Sequence, residues 1–184
     1  MQGGAIEHEH AFRKAAKKLG IKAEFVRVRK KTDFSGLDAL AIPGGESTVF
    51  QKLLERKGLL PEFSKVPKIL ATCAGLILIS SKIEDGIAGQ KPLGLIDIAV
   101  KRNAYGSQLD SFECELEAKG IGAVHAIFIR APKITKLGKG MKVIARHGGD
   151  PVAISKKKGR QLILGTTFHP ELATSVFHEW LLSN

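Results

Sequence analysis

Twice in its first half the chain passes from a short apolar run through a glycine-bearing turn into a helical pattern, and this arrangement most constrains the fold. Ala39 to Ile42 runs into Pro43-Gly44-Gly45 and a helix expected from about Ser47 to Arg56. Ile69 to Ala71 runs into Thr72-Cys73-Ala74-Gly75 and an apolar helix through Leu76, Ile77, Leu78 and Ile79. Strand, tight turn and helix in succession form βα units, whose strands line up in parallel. Upstream, Ile6, Phe12, Ala15, Ala16 and Leu19 approximate a helical stripe from Ala5 to Leu19, Gly20 supplies a stop, and Ala23 to Val28 reads as a strand. Further on, short strands are expected at 95–102, 111–117, 123–130, 142–147, 151–155 and 161–167, with a closing helix over 173–182. The expectation is an α/β protein with a mainly parallel central sheet, flanking helices and antiparallel additions.

The 184 residues suffice for one domain with a real core, and no linker divides them, so 1–184 is read as a single unit. Apolar runs such as Leu93 to Val100, interrupted by Asp97, fall short of the roughly 20 residues of a membrane span. Glu7, His8, Glu9 and His10 stand where a secretory signal needs an apolar stretch, which points to the cytoplasm. The net charge of +11 would suit nucleic acid, but the basic residues are spread along the chain and aromatics make up only 6%, so solvated surfaces explain them better. No Cys/His spacing resembles a zinc site, and His8 and His10, two apart on a helix, point to different faces.

Reactive groups of an open parallel sheet gather at the carboxyl ends of its strands. Cys73 occupies such an end, where the positive pole of the following helix favours the nucleophilic thiolate, the turn exposes the sulfur, and the Ala74 N–H can face an oxyanion. A small buried cysteine packing under the sheet is the plainer alternative. After the apolar strand Leu162-Ile163-Leu164 come His169-Pro170-Glu171. Residues two apart on an extended stretch face the same way, so His169 could serve as base with Glu171 orienting it. In the Gly44-Gly45 turn, glycine lets the backbone approach a substrate closely, and an N–H there could face the same oxyanion.

Five segments occur in the order of one family: Pro43-Gly44-Gly45-Glu46-Ser47-Thr48, Thr72-Cys73-Ala74-Gly75, Arg102-Asn103-Ala104-Tyr105-Gly106, Phe128-Ile129-Arg130-Ala131-Pro132 and Phe168-His169-Pro170-Glu171. The chain resembles the glutaminase subunits of pyridoxal 5′-phosphate synthase (PdxT type), within the triad, or class I, glutamine amidotransferases. The resemblance implies a flavodoxin-like three-layer fold, Cys73 as nucleophile, and His169 and Glu171 as its relay. It places glutamine against Gly45, Glu46, Ser47, Arg102, Ile129 and Arg130, with the N–H groups of Gly45 and Ala74 as oxyanion hole. Arginine can grip the substrate carboxylate by paired bonds, and Glu46 can answer its ammonium. No metal or organic cofactor is implied, and the partner is a PdxS-type synthase subunit that uses the ammonia to build the vitamin B6 coenzyme from sugar phosphates. Amidotransferase subunits for other pathways, and a catalytically silent docking module, are the alternatives.

The chain departs from the family pattern in two places. Ala71 stands where glycine usually precedes Thr-Cys, and Met1-Gln2-Gly3 begins at a turn that family members reach after an apolar strand. The expectation is that this first strand is lacking.

Overall fold

The computed structural model describes residues 4–102, 104 and 111–184. Its helices are α1 (Ala5–Leu19), α2 (Ser47–Arg56), α3 (Ala74–Ile79) and α4 (Val176–Ser183). The strands are β1 (Ala39–Ile42), β2 (Lys68–Thr72), β3 (Lys82–Ile83), β4 (Ile98–Lys101), β5 (Phe112–Ala118), β6 (Gly122–Phe128), β7 (Lys133–Leu137), β8 (Lys142–His147), β9 (Asp150–Lys158) and β10 (Gln161–Thr166).

The central sheet runs β1-β2-β10-β9-β8. Its first three strands are parallel, and β9 and β8 extend it antiparallel. Successive side chains of a strand face opposite ways, and both faces of this sheet are covered. Ile69 and Ala71 of β2 and Ile163 of β10 join one core with Leu76 and Ile79 of α3, whereas Leu70, Leu162 and Leu164 join the other with Phe177 and Leu181 of α4. The result is the three-layer α/β arrangement expected. Two smaller sheets, β3-β4-β7 and the β5-β6 hairpin, flank it.

Helix α1 buries His8, Ala11, Ala15 and Ala16, one stripe at helical spacing. It ends at Gly20, whose φ of 67° lets its N–H return to the Ala16 and Lys17 carbonyls. Lys18 reaches Glu179 at 2.7 Å and ties α1 to α4. In the second core Phe128, Phe168 and Phe177 form a ladder of rings at 5.4 and 5.5 Å. That ladder fixes the chain on either side of the turn that follows β10.

The strand expected over Ala23 to Val28 does not form. A strand exists only through its ladder, and no described residue pairs with the outer edge of β1. Instead the segment is fastened to α1, by Arg27 to Glu9 at 3.1 Å and by the Arg13 guanidinium lying 4.4 Å over the Phe25 ring. Between it and β1 lies a cleft of about 210 Å³ lined by Val28, Phe34, Leu40, Ile42, Phe50 and Leu54, among others. An apolar segment of about six residues appended upstream of Met1 should pair with this edge and raise stability. Two apolar side chains buried there would contribute on the order of 2 kcal/mol after ordering costs. Urea midpoints of the extended and unextended chains measure the gain, and equal midpoints would show that the edge does not accept a strand.

Candidate active site

Three strand ends and one hairpin end converge. Cys73 follows β2 and caps α3 with φ 49° and ψ −107°, a conformation costly for a residue with a Cβ. Its N–H is held by the Thr166 carbonyl at 2.9 Å, and its own carbonyl receives the Leu76 and Ile77 N–H groups. Gly75 makes the elbow feasible, since a Cβ there would lie 2.1 Å from the Ile42 carbonyl oxygen. Ala74, the first residue of α3, carries one of the N–H groups that a helix start leaves without an internal partner.

The sulfur is not exposed as the turn alone suggested: Cys73 is 7% accessible. The Ile129 carbonyl lies 3.9 Å from Sγ, and Gly44 packs within 3.3 Å of the Cys73 Cβ when measured from its own ideal Cβ position. The β1 turn and the end of the β5-β6 hairpin thus close over the thiol.

His169 is anchored by its N–H to the Ile127 carbonyl at 2.9 Å, and its Nδ1 meets Glu171 Oε1 at 2.8 Å. The geometry differs from the extended stretch expected: Pro170–Leu172 is a 3₁₀ turn, which folds the Glu171 carboxylate back under the ring. The other side of the imidazole faces Cys73. Burial alone would depress the His169 pKa, but hydrogen bonds to Cys73 and Glu171 and their charges outweigh it and push it from 6.5 to about 10. An imidazole held protonated beside the sulfur carries the proton that a leaving amine needs.

The residues expected around glutamine each have a local structural role, and of them only the Ile129 carbonyl is seen against the Cys73 sulfur. Glu46 caps α2, accepting from the Thr48 and Val49 N–H groups. Burial pushes its pKa up, yet those bonds, the Thr48 hydroxyl and the Arg102 charge hold it below the ordinary carboxylate value. Ser47 is buried and accepts from Gln90 at 3.0 Å. Gly45 takes φ 135°, open only to glycine. Arg102 braces the Asp85 loop, its N–H on Oδ1 at 2.8 Å and its guanidinium on the Asp85 carbonyl at 3.0 Å. Ile129 presents its carbonyl to Sγ, while Arg130 is exposed with φ 46°. Among described residues Cys73 and Arg130 are the non-glycine residues at positive φ, and both sit at this site. Gln2, Gly3, Asn103, Tyr105 and Gly106, which belong to the motifs and turn singled out above, lie outside the described residues.

Sequence reasoning missed the groups beneath Glu171. His8 is 2% and His178 0% accessible, and His8 lies 3.6 Å from Glu171 Oε1. The available signal was an imidazole inside the apolar stripe of α1.

The chain matches the model of the SNO glutamine amidotransferase family over residues 1–184. It is 44% identical to pyridoxal 5′-phosphate synthase subunit PdxT of Pyrobaculum arsenaticum, over 99% of this chain and 93% of that one. The PdxT subunit of Mycolicibacterium vanbaalenii is 43% identical over 94% of this chain and 87% of its own. A crystal structure described as a glutamine amidotransferase superposes with a TM-score of 0.81 at 40% identity, covering 95% of this chain and 92% of that chain. With the Cys73, His169 and Glu171 constellation at the strand ends, these matches place the chain in the SNO glutamine amidotransferase family.

Proposed function

We propose that the chain is the glutaminase subunit of a pyridoxal 5′-phosphate synthase, hydrolysing L-glutamine to L-glutamate and ammonia. The observation that carries this reading is His169, bonded to Glu171 through Nδ1 and facing Cys73 with its other side. The Cys73 thiolate attacks the side-chain amide carbon, and the N–H groups of Gly45 and Ala74 receive the oxyanion. As the tetrahedral adduct collapses, His169 gives its proton to the departing nitrogen, releasing ammonia and leaving a thioester. His169 then takes a proton from water, whose oxygen attacks the thioester carbonyl, and glutamate leaves as Cys73 is restored. Gly45, Glu46, Ser47, Arg102, Ile129 and Arg130 hold the glutamine backbone end. The chain's own residues supply every group in this sequence.

The ammonia passes within a cytoplasmic complex to a PdxS-type subunit, a reading supported by relatives that are themselves subunits of a pyridoxal 5′-phosphate synthase. Free hydrolysis would waste ammonia, and the glycine turn at Gly44 and Gly45 offers a backbone hinge through which docking can assemble the oxyanion hole. Addition of the synthase subunit should raise the glutaminase rate at least about tenfold, or ~1.4 kcal/mol of barrier. Measuring glutamate release from the purified chain with and without that subunit tests this. Full-speed hydrolysis by the chain alone, unchanged on addition, would remove the gating while leaving the triad.

A further inference from the structure

The triad does not end at Glu171. His8 of α1 approaches the same carboxylate oxygen that His169 Nδ1 meets, its Nε2 3.1 Å from Thr72 Oγ1 and 3.6 Å from Glu171 Oε1. Its Nδ1 lies 2.9 Å from Nε2 of His178 on α4. All four residues are buried: Thr72 and His178 are 0% accessible, His8 2% and Glu171 8%. Two polar atoms of this cluster, Glu171 Oε2 and His178 Nδ1, have no partner among the described residues. Thr72 directly precedes the nucleophile.

The tautomers follow from these distances. A neutral imidazole has one N–H and one acceptor nitrogen. Were His8 protonated at Nδ1, its Nε2 lone pair would face the Glu171 carboxylate, and His178 would be left with an unpaired N–H at Nδ1. With the proton on His8 Nε2, that N–H points toward Thr72 and Glu171, and His8 Nδ1 accepts the N–H of His178 Nε2. The remaining orphan is then a lone pair, which costs less to bury than an N–H. Both rings are neutral at pH 7. Burial lowers the pKa of His8 against the pull of Glu171, and burial followed by the neighbouring His8 lowers that of His178 to about 3.

We infer that His8, fixed as its Nε2–H tautomer by His178, is a positioning residue that sets the Glu171 carboxylate and the Thr72 hydroxyl, and through them His169 and Cys73. A neutral donor suits this place. It steadies the carboxylate without a positive charge that would compete with protonated His169 for it. The inference rests on the triad reading above, because its effect is exerted on the His169 pair.

The test uses glutaminase kinetics of the complete chain with its synthase subunit, together with ¹⁵N-resolved imidazole spectra of the wild-type chain. Removal of the Nε2 arm in His8→Asn, whose shorter amide still reaches His178, should lower kcat by about 10- to 100-fold, the scale of an ångström-sized misplacement. KM for glutamine should change less than about twofold, since His8 touches none of the residues expected around glutamine. His8→Gln, which carries its N–H donor at the Nε2 position, should return kcat to within about threefold of wild type. His178→Leu should lower kcat in the same sense. The spectra, which need no variant to fold, should show His8 protonated at Nε2 alone. A His8 Nδ1–H tautomer, or His8→Asn with wild-type kcat, overturns the inference, as does equal loss in His8→Asn and His8→Gln. Cys73→Ala separates the two readings: hydrolysis lost there but intact in His8→Asn keeps the triad and discards His8, whereas hydrolysis that survives Cys73→Ala discards the triad itself.

Discussion

Cys73→Ala is expected to abolish glutamine hydrolysis, by more than about 10⁴-fold, without unfolding the chain. Alanine keeps the Cβ and so inherits the elbow's backbone strain unchanged, and only the sulfur is lost from a position that is 7% accessible. Cys114 cannot stand in, although its Sγ lies 3.5 Å from His147 Nδ1 and imitates a Cys–His pair. Burial, followed by the Glu115 charge, pushes that thiol above its ordinary value and keeps it protonated. A glutamine-like electrophile should therefore label Cys73. Labelling of Cys114 alone, or normal turnover by Cys73→Ala, would contradict the assignment.

The same substitution has a second readout in the titration of His169. Its pKa of about 10 depends on Cys73 as well as Glu171, and burial opposes both. Without the sulfur, the His169 Cε1–H resonance should titrate well below 10. The sign for stability follows from a folded pKa raised above 6.5: the contribution of His169 is fully present below that value and is lost as pH climbs through about 10. Cys73→Ala should flatten this alkaline decline. An unchanged His169 titration would mean that the imidazole does not pair with the thiol.

Much of this was legible because local signals and tertiary structure agree. The run into Pro43-Gly44-Gly45 gave β1 and α2 at their observed limits, the run into Thr72-Cys73 fell one residue short of β2 at each end, and Gly20 marked the end of α1. Disagreement arose wherever a neighbour decides. Residues 23–28 alternate as a strand should, yet none forms without a partner on β1. Conversely, β7 reads Lys-Ile-Thr-Lys-Leu, too polar to stand out, and forms because it pairs with β4. At the site, the residue types and their order put Cys73, His169 and Glu171 forward, and the structure brings the three together; they did not show the 3₁₀ turn that brings Glu171 under His169, nor His8, which lies near Glu171 only through the packing of α1 on the turn. A sequence pattern reports the periodicity of one element, and buried polar contacts between elements lie beyond it.

Gly44→Ala should impair catalysis far more than stability. A Cβ at Gly44 would lie 2.4 Å from His169 Cε1 and 3.2 Å from Nε2, so the imidazole must move. Its Nδ1 is committed to Glu171 at 2.8 Å, and the ring cannot rotate away without breaking that bond or its alignment with Cys73. An ångström of displacement at the reacting groups costs about 10²-fold, which is the expected fall in kcat. The backbone at Gly44 does not require glycine, since its φ is not positive, so the urea midpoint should shift only modestly. Gly159→Ala is the converse control. Its φ of 57° penalises any side chain, while nothing lies within 4 Å of the added carbon. That variant should lose roughly 1–2 kcal/mol of stability and keep its activity. Wild-type turnover by Gly44→Ala would show that the imidazole does not rest on this glycine, and with it the need for a side-chain-free residue at the first strand end of the site would fall.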